Sequence, residues 1–198
     1  MSGWLVWFLV ALGLGVVVVR RRSLAVALVT VQALVLAVRA VHDDAGAAAA
    51  LGIRAFVLAA VLLLVVSRTR EPRPVRAGVA PIARAGLAVA LALALTWLVP
   101  ALGFGSRNVE RGVIALVAFG LVAAATRRAT LFQVLGIVLV ENGLALAALQ
   151  LPGSGSAAIE WGVALDLTLI ALVAGVFHEK IFAEFGAGDS AALRSLRD

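Results

Sequence analysis

The sequence predicts an all-α integral membrane protein, a bundle of seven transmembrane helices followed by a short C-terminal helix. Three observations predict it. The 198-residue chain is 63% hydrophobic and only 14% charged, and its mean hydropathy is +1.09. Several of its apolar runs approach the roughly 20 residues that a helix needs to cross the hydrocarbon of a bilayer. The basic residues gather between those runs, where they set topology. In a soluble protein a net charge of +6 would suggest nucleic acid; here the interhelical arginines account for it.

The spans are expected at 3–19, 23–41, 45–67, 79–101, 111–126, 129–150 and 158–180. No basic segment and no clear cleavage site mark the N-terminus, so the first span reads as a retained helix, closed by Arg20, Arg21 and Arg22. The second carries Gln32 and Arg39 and ends at His42, Asp43 and Asp44, a solvated turn. The third carries Arg54 and is followed by Arg68, Arg70, Arg73 and Arg76, with Pro72 and Pro74 holding that loop extended. The fourth starts near Arg84 and ends at a connection marked by Gly103, Gly105, Ser106 and Asn108. Arg39 and Arg84 lie near span ends, where long side chains are expected to snorkel toward water. The fifth span stops at Arg127 and Arg128; joining it to the sixth would bury that pair in hydrocarbon. The sixth, LFQVLGIVLVENGLALAAL, carries Glu141 and stops at LPGSGSA; the seventh, IEWGVALDLTLIALVAGV, carries Glu160 and Asp166 and stops at Lys180.

Basic clusters follow the odd-numbered spans, which places the N-terminus outside and the C-terminus inside. Residues 1–180 form the expected transmembrane domain and 181–198 a cytoplasmic amphipathic tail. In that tail Asp189 or Ser190 is a candidate cap, and Leu193 and Leu196 share one side. Docking to a partner and a frayed polar tail both fit it. The spans are rich in Ala, Gly and Val, which let helices approach closely in lipid.

Several chemistries are excluded. The chain has no Cys, hence no disulfide, iron–sulfur cluster or thiolate-held metal. Its two His residues, His42 and His178, are far apart, so no metal site is expected. No phosphate loop, dinucleotide fingerprint, nucleophile elbow or zincin helix is present. No cofactor and no catalytic residue are expected in this chain.

Function is carried by charges inside the spans. Ionisable groups at bilayer depth are costly and tend to mark ion or proton pathways. At about 1.5 Å per residue, Glu141 lies about 20 Å from Arg128, and Asp166 and Arg54 about 21 Å from Lys180 and Arg68. Two acids and one base from three helices are therefore expected at one level, with Gln32 extending the layer. Arg54 neutralises one carboxylate, and the second gains and loses a proton as a member of a coupled group. The competing reading is a register-fixing ion pair with no transport role. Glu160, near the outer end of its span, is either a first-turn acid or the outer mouth of a path. His178 and Glu179 lie at the inner boundary, a position open to proton entry.

The last third of the chain resembles the hydrogenase-4 component E family, membrane subunits of formate hydrogenlyase-type and other energy-converting hydrogenases. The resemblance runs over residues 127–198 through Gln133, Gly136, Glu141-Asn142-Gly143, Glu160, Gly162, Asp166, Lys180, Asp189 and Leu196. Upstream, Gln32 matches a family Gln, and Arg54 falls where the family tends to carry Lys. Residues 127–180 are also distantly similar to the three-helix K subunit of respiratory complex I; there Asn142 matches that family's acid position better than Glu141 does. The resemblance implies a proton- or cation-translocating subunit of a complex I-like redox complex in a bacterial cytoplasmic membrane. Core membrane and antiporter-like subunits would be its partners, and Glu141, Asp166, Arg54, Glu160 and Gln32 its ion pathway. A structural anchor subunit is the alternative. A self-contained transporter ranks behind both, because inverted repeats are not evident.

Overall fold

The computed structural model describes residues 2–69, 79–104, 106–150 and 157–185; the side chains of residues 157–161 and 184–185 lie outside the described set. The arginine loop of Arg70, Arg73 and Arg76, the LPGSGS turn and the tail from residue 186 also fall outside it. The described elements are helices: α1 (Gly3–Val18), α2 (Arg22–Ala40), α3 (Ala45–Arg68), α4 (Pro81–Leu98), α5 (Arg107–Thr126), α6 (Thr130–Ala148) and α7 (Ala157–Phe185). Six of them are long and apolar enough to cross a membrane, and α1 is a shorter apolar helix. The chain is thus an all-helical protein of the multi-pass membrane type.

Local chemistry sets the helix ends. Asp44 caps α3, its carboxylate accepting from the backbone N–H of Gly46 at 2.7 Å and Ala47 at 3.4 Å. The neighbouring Asp43 pairs with Arg39 at 2.9 Å, so the acidic turn ends one helix and starts the next. No metal-binding cluster forms among the described residues.

Three helices differ from the sequence reading by three or more residues at an end. The fourth helix starts at Pro81, where the missing N–H costs nothing, and stops at Leu98, because Pro100 forces Val99 out of the helix. The fifth starts earlier, at Arg107. Its first-turn Glu110 accepts from the N–H groups of Gly103 and Phe104 at 2.9 and 3.3 Å, and Gly103 turns the loop at φ +78°. The seventh continues through His178 and Lys180 to Phe185, so the first residues assigned to the tail prolong the helix.

The most closely packed pair is α5 and α6. Gly120 and Gly136 face each other there, and a Cβ on either would fall 2.5–2.6 Å from the carbonyl oxygen of the other. These two helices are also the most buried, whereas α4 and α7 are the most exposed. The shorter α1 lies against α2, α4 and α5; α2 lies against α3 and α6; α7 lies against α3 and α6. This arrangement brings the middles of α1, α2, α3 and α6 around one point.

At one end of the bundle the side chain of Arg127 donates to the carbonyls of Val16, Val17 and Val19. It thereby satisfies acceptors that α1 leaves unpaired at its C-terminus. The same guanidinium lies over the ring of Phe132, 3.9 Å from its centroid. Burial first, then the charges of Arg84 and Arg20, pull the Arg127 guanidinium down from its ordinary value to about 10. It therefore stays charged at neutral pH. Arg84 does not snorkel. It shares a face of α4 with Ala88 and Ala92, and all three are buried.

Candidate functional site

A continuous polar string crosses the bundle at mid-helix. Gln32 on α2 donates from Nε2 to the carbonyl of Leu9 on α1 at 2.9 Å. Asn142 on α6 donates from Nδ2 to Gln32 Oε1 at 2.8 Å. Arg54 on α3 donates from Nη2 to Asn142 Oδ1 at 3.2 Å. Each donor thus finds an acceptor on the next helix. All four residues lie within a turn of the midpoint of their own helices. Gln32 and Asn142 are fully buried and Arg54 is 2% exposed.

The composition of each helix explains why the string is sealed. Gln32 shares its face with Val29, Ala33 and Leu36. Arg54 is flanked by Ala50, Leu51, Ala55 and Leu58, small and apolar residues that let α3 close on its neighbours. Asn142 sits among Leu139, Gly143, Ala145 and Leu146. The Leu9 carbonyl has a second lone pair beyond its helical bond, and Gln32 uses it. A buried amide or guanidinium without such partners would be strongly unfavourable.

The sequence-predicted residues separate into two groups. Gln32 and Arg54 share one layer, as expected. The residue that joins them is Asn142, not an acid. Glu141 is next to it on α6 and half-buried, rotated away from the string. Asp166 lies on the exposed face of α7, together with Leu165 and Leu169. Neither carboxylate makes a hydrogen bond or ion pair among the described residues. The expectation that both acids would turn inward toward Arg54 is not met for Asp166 within this chain. The helical period is the reason: Ala164, Leu167 and Ala171 occupy the packed side of α7, and Asp166 falls between them on the other side. Glu160 lies in the first turn of α7, and its side chain is outside the described residues. His178 is buried beside a cavity of about 10 Å³ bordered by Leu62, Leu131, Ala171 and Gly175, room for about one water. Glu179 pairs with Arg68 at 3.6 Å.

In the sequence Asn142 stands in the Glu-Asn-Gly triplet and at the position that better matches the acid of the complex I K subunit, but it carried no role in the expected pathway. A mid-span carboxylate draws attention because its burial is costly, whereas a neighbouring amide is more easily passed over. The Leu9 acceptor had no sequence signal, since every residue carries a carbonyl. Chemically, the string holds a permanent positive charge in the middle of the bundle, and its two amides do not titrate. Among the described residues, the mid-helix acids closest in sequence position to this layer are Glu141 and Asp166.

This arrangement gives a direct test. Asn142→Leu is close in size but strips one acceptor from Arg54 and the side-chain donor from Gln32 Oε1. Interhelical hydrogen bonds in membrane proteins average only about 0.6 kcal/mol. Buried groups left unsatisfied cost about 1–3 kcal/mol each, and charged ones more. Asn142→Leu is therefore expected to lower unfolding stability in detergent clearly more than Thr30→Val, whose hydroxyl bonds only within α2. Equal stability of the two variants would show that the string holds nothing together.

No protein-family profile matches the chain. An uncharacterized protein of Mycobacterium tuberculosis, Rv0085, is 28% identical over 170 residues, covering 81% of this chain and 77% of that protein. No solved structure matches.

Proposed function

We propose that this chain is a proton- or cation-translocating membrane subunit of a multi-subunit, complex I-like redox complex, such as a group 4 energy-converting hydrogenase. In this reading it spans a bacterial cytoplasmic membrane seven times, N-terminus outside and C-terminus inside. Core membrane and antiporter-like subunits flank it, and the redox chemistry resides in other subunits. The observation that carries the reading is Arg54, a buried cation held at mid-helix by a relay of amides, with Glu141 next to the last of them. The outward position of Asp166 fits a path that continues into a neighbouring subunit. Coupled translocation by the assembled complex carrying Glu141→Gln tests the proposal.

The structural-anchor reading also has a specific observation in its favour. The hydrogen bonds from Arg54 through Asn142 and Gln32 to Leu9 fix the register of four helices without needing a titrating group. The two readings part on whether assembled acid-to-amide variants still pump.

Topology is tested separately. Single cysteines at Ser2 and Ser195, probed in intact cells with a membrane-impermeant thiol reagent, are expected to label at residue 2 only. Labelling of both, or labelling at residue 195 alone, would overturn the orientation.

A further inference from the structure

Helix α7 is long and apolar enough to cross a membrane, and one of its sides packs against α3 and α6. On the other side Gly162, Asp166, Leu169, Val173, Val176 and Lys180 are exposed. Their spacing alternates between four and three residues, the heptad seam along which one helix packs lengthwise on another. At about 1.5 Å per residue, Asp166 stands about 21 Å along the helix from Lys180, inside a hydrocarbon core roughly 30 Å thick. The seam therefore carries a carboxyl group at bilayer depth, and that group makes no hydrogen bond or ion pair among the described residues.

Helix α4 supplies the contrast. It is barer still, yet its exposed residues, Ile82, Leu87, Leu93 and Trp97 among them, include no ionisable side chain. Acyl chains suit such a surface. Apolar side chains gain little by leaving lipid for another helix, so association is decided by close packing and by polar groups. A carboxyl group against acyl chains is costly, and intramembrane acids face protein or water and pair with opposite charge. A Lys or Arg at the same depth is the strongest complement, because opposite charges attract most where water is excluded. A second copy of this chain does not supply one. Its mid-helix cation, Arg54, is buried and bonded to Asn142. Copies in one membrane also share an orientation, so α7 against α7 would bring two carboxyl groups to one depth.

We propose that the exposed seam of α7 is a docking surface for a transmembrane helix of a different subunit, which sets a Lys or Arg against Asp166. The partner is defined by its chemistry, an apolar span with a base at mid-membrane depth. The inference rests on α7 spanning the membrane within a larger complex and names the kind of neighbour that covers it. It does not rest on ion translocation, so it holds for a pump and for an anchor, and each can fail without the other.

The experiment uses the full chain in the membranes of its own cells. The photo-reactive residue p-benzoylphenylalanine replaces Leu169 on the seam and, separately, Leu93 on the exposed face of α4. After irradiation the adducts are mapped to peptides by mass spectrometry. Position 169 is expected to join a transmembrane peptide of another protein that holds a Lys or Arg within a turn of the joined residue, and position 93 to join lipid. Asp166→Leu is expected to cut the adduct at 169 about tenfold, the size of one charge-assisted hydrogen bond, and Asp166→Glu to retain most of it. A second measurement guards against misfolding: the purified Asp166→Leu chain is expected to unfold in detergent level with wild type or above it, since no described contact within the chain is lost. A lowered midpoint would show that Asp166 is engaged inside this chain and would overturn the surface. So would lipid adducts alone at 169, no adduct there, an adduct to a second copy of this chain, a partner span without a base, or a yield indifferent to Asp166→Leu.

Discussion

Glu141→Gln is expected to leave the parent complex assembled and to cut its coupled ion translocation by roughly 10²-fold, the lower end of what a positioned proton-transfer group contributes. Gln keeps the shape and the hydrogen-bonding capacity of Glu but cannot gain and lose a proton. The site favours a clean result. Glu141 is half-buried and makes no ion pair or hydrogen bond among the described residues, so the substitution removes no described structural contact. The packed face of α6, from Leu135 through Leu139 and Asn142 to Leu146, is untouched. Glu141→Ala is expected to match it in translocation without orphaning Arg54, which keeps Asn142 Oδ1 as an acceptor. Asp166→Asn is expected to act in the same direction, but only within the assembled complex, because Asp166 faces away from the rest of this chain. Proton uptake by membrane vesicles, measured beside the amount of assembled complex, checks all three. Normal coupled pumping by fully assembled Glu141→Gln and Asp166→Asn complexes would sink the relay and leave the anchor reading.

The fold was largely legible because in a membrane protein hydropathy and arginine placement act over whole spans. The seven spans fell within a few residues of the observed helices, and the errors came from local effects. Pro100 was counted inside a span although its ring excludes the preceding residue from a helix. The site was legible in depth but less so in direction. Counting residues from the basic anchors placed Arg54 at one level with Glu141 and Asp166 and set Gln32 as an extension of that layer; Arg54 and Gln32 do join one polar string. Counting could not fix which way α6 and α7 turn, since that depends on where small residues permit contact. On α6, Gly136 and Gly143 turn toward α5, and this rotation puts Asn142 rather than Glu141 in reach of Gln32. For Arg84 the snorkelling expectation failed for the same reason: Ala88 and Ala92 make its face the packed one.

Gly120→Ala and Gly136→Ala are each expected to destabilise the protein by about 1–3 kcal/mol, the usual cost of overpacking, although each adds one methyl group. A Cβ at position 120 would stand 2.5 Å from the carbonyl oxygen of Gly136 and 2.8 Å from the amide nitrogen of Val140. At position 136 it would meet the carbonyl oxygen of Gly120 at 2.6 Å and the amide nitrogen of Ala124 at 2.7 Å. These are backbone atoms of the facing helix, so no side-chain rotation relieves them. The helices α5 and α6 must part by about 1 Å to restore an ordinary contact of about 3.5 Å. That movement carries Asn142 away from Gln32, whose bond is 2.8 Å long, so the polar string weakens along with the packing. Gly52 on α3 and Gly86 on α4 supply the contrast, because a Cβ there would meet nothing within 4 Å. Alanine at either is expected to be neutral or to stabilise by about 0.4–1 kcal/mol, since it restricts the unfolded chain and favours helix. Unfolding in detergent should therefore rank Gly52→Ala and Gly86→Ala above wild type or level with it, and both Gly120→Ala and Gly136→Ala well below. If Gly120→Ala proved as stable as Gly52→Ala, the close approach of α5 and α6, and with it the rotation that sets Asn142 against Gln32, would be wrong.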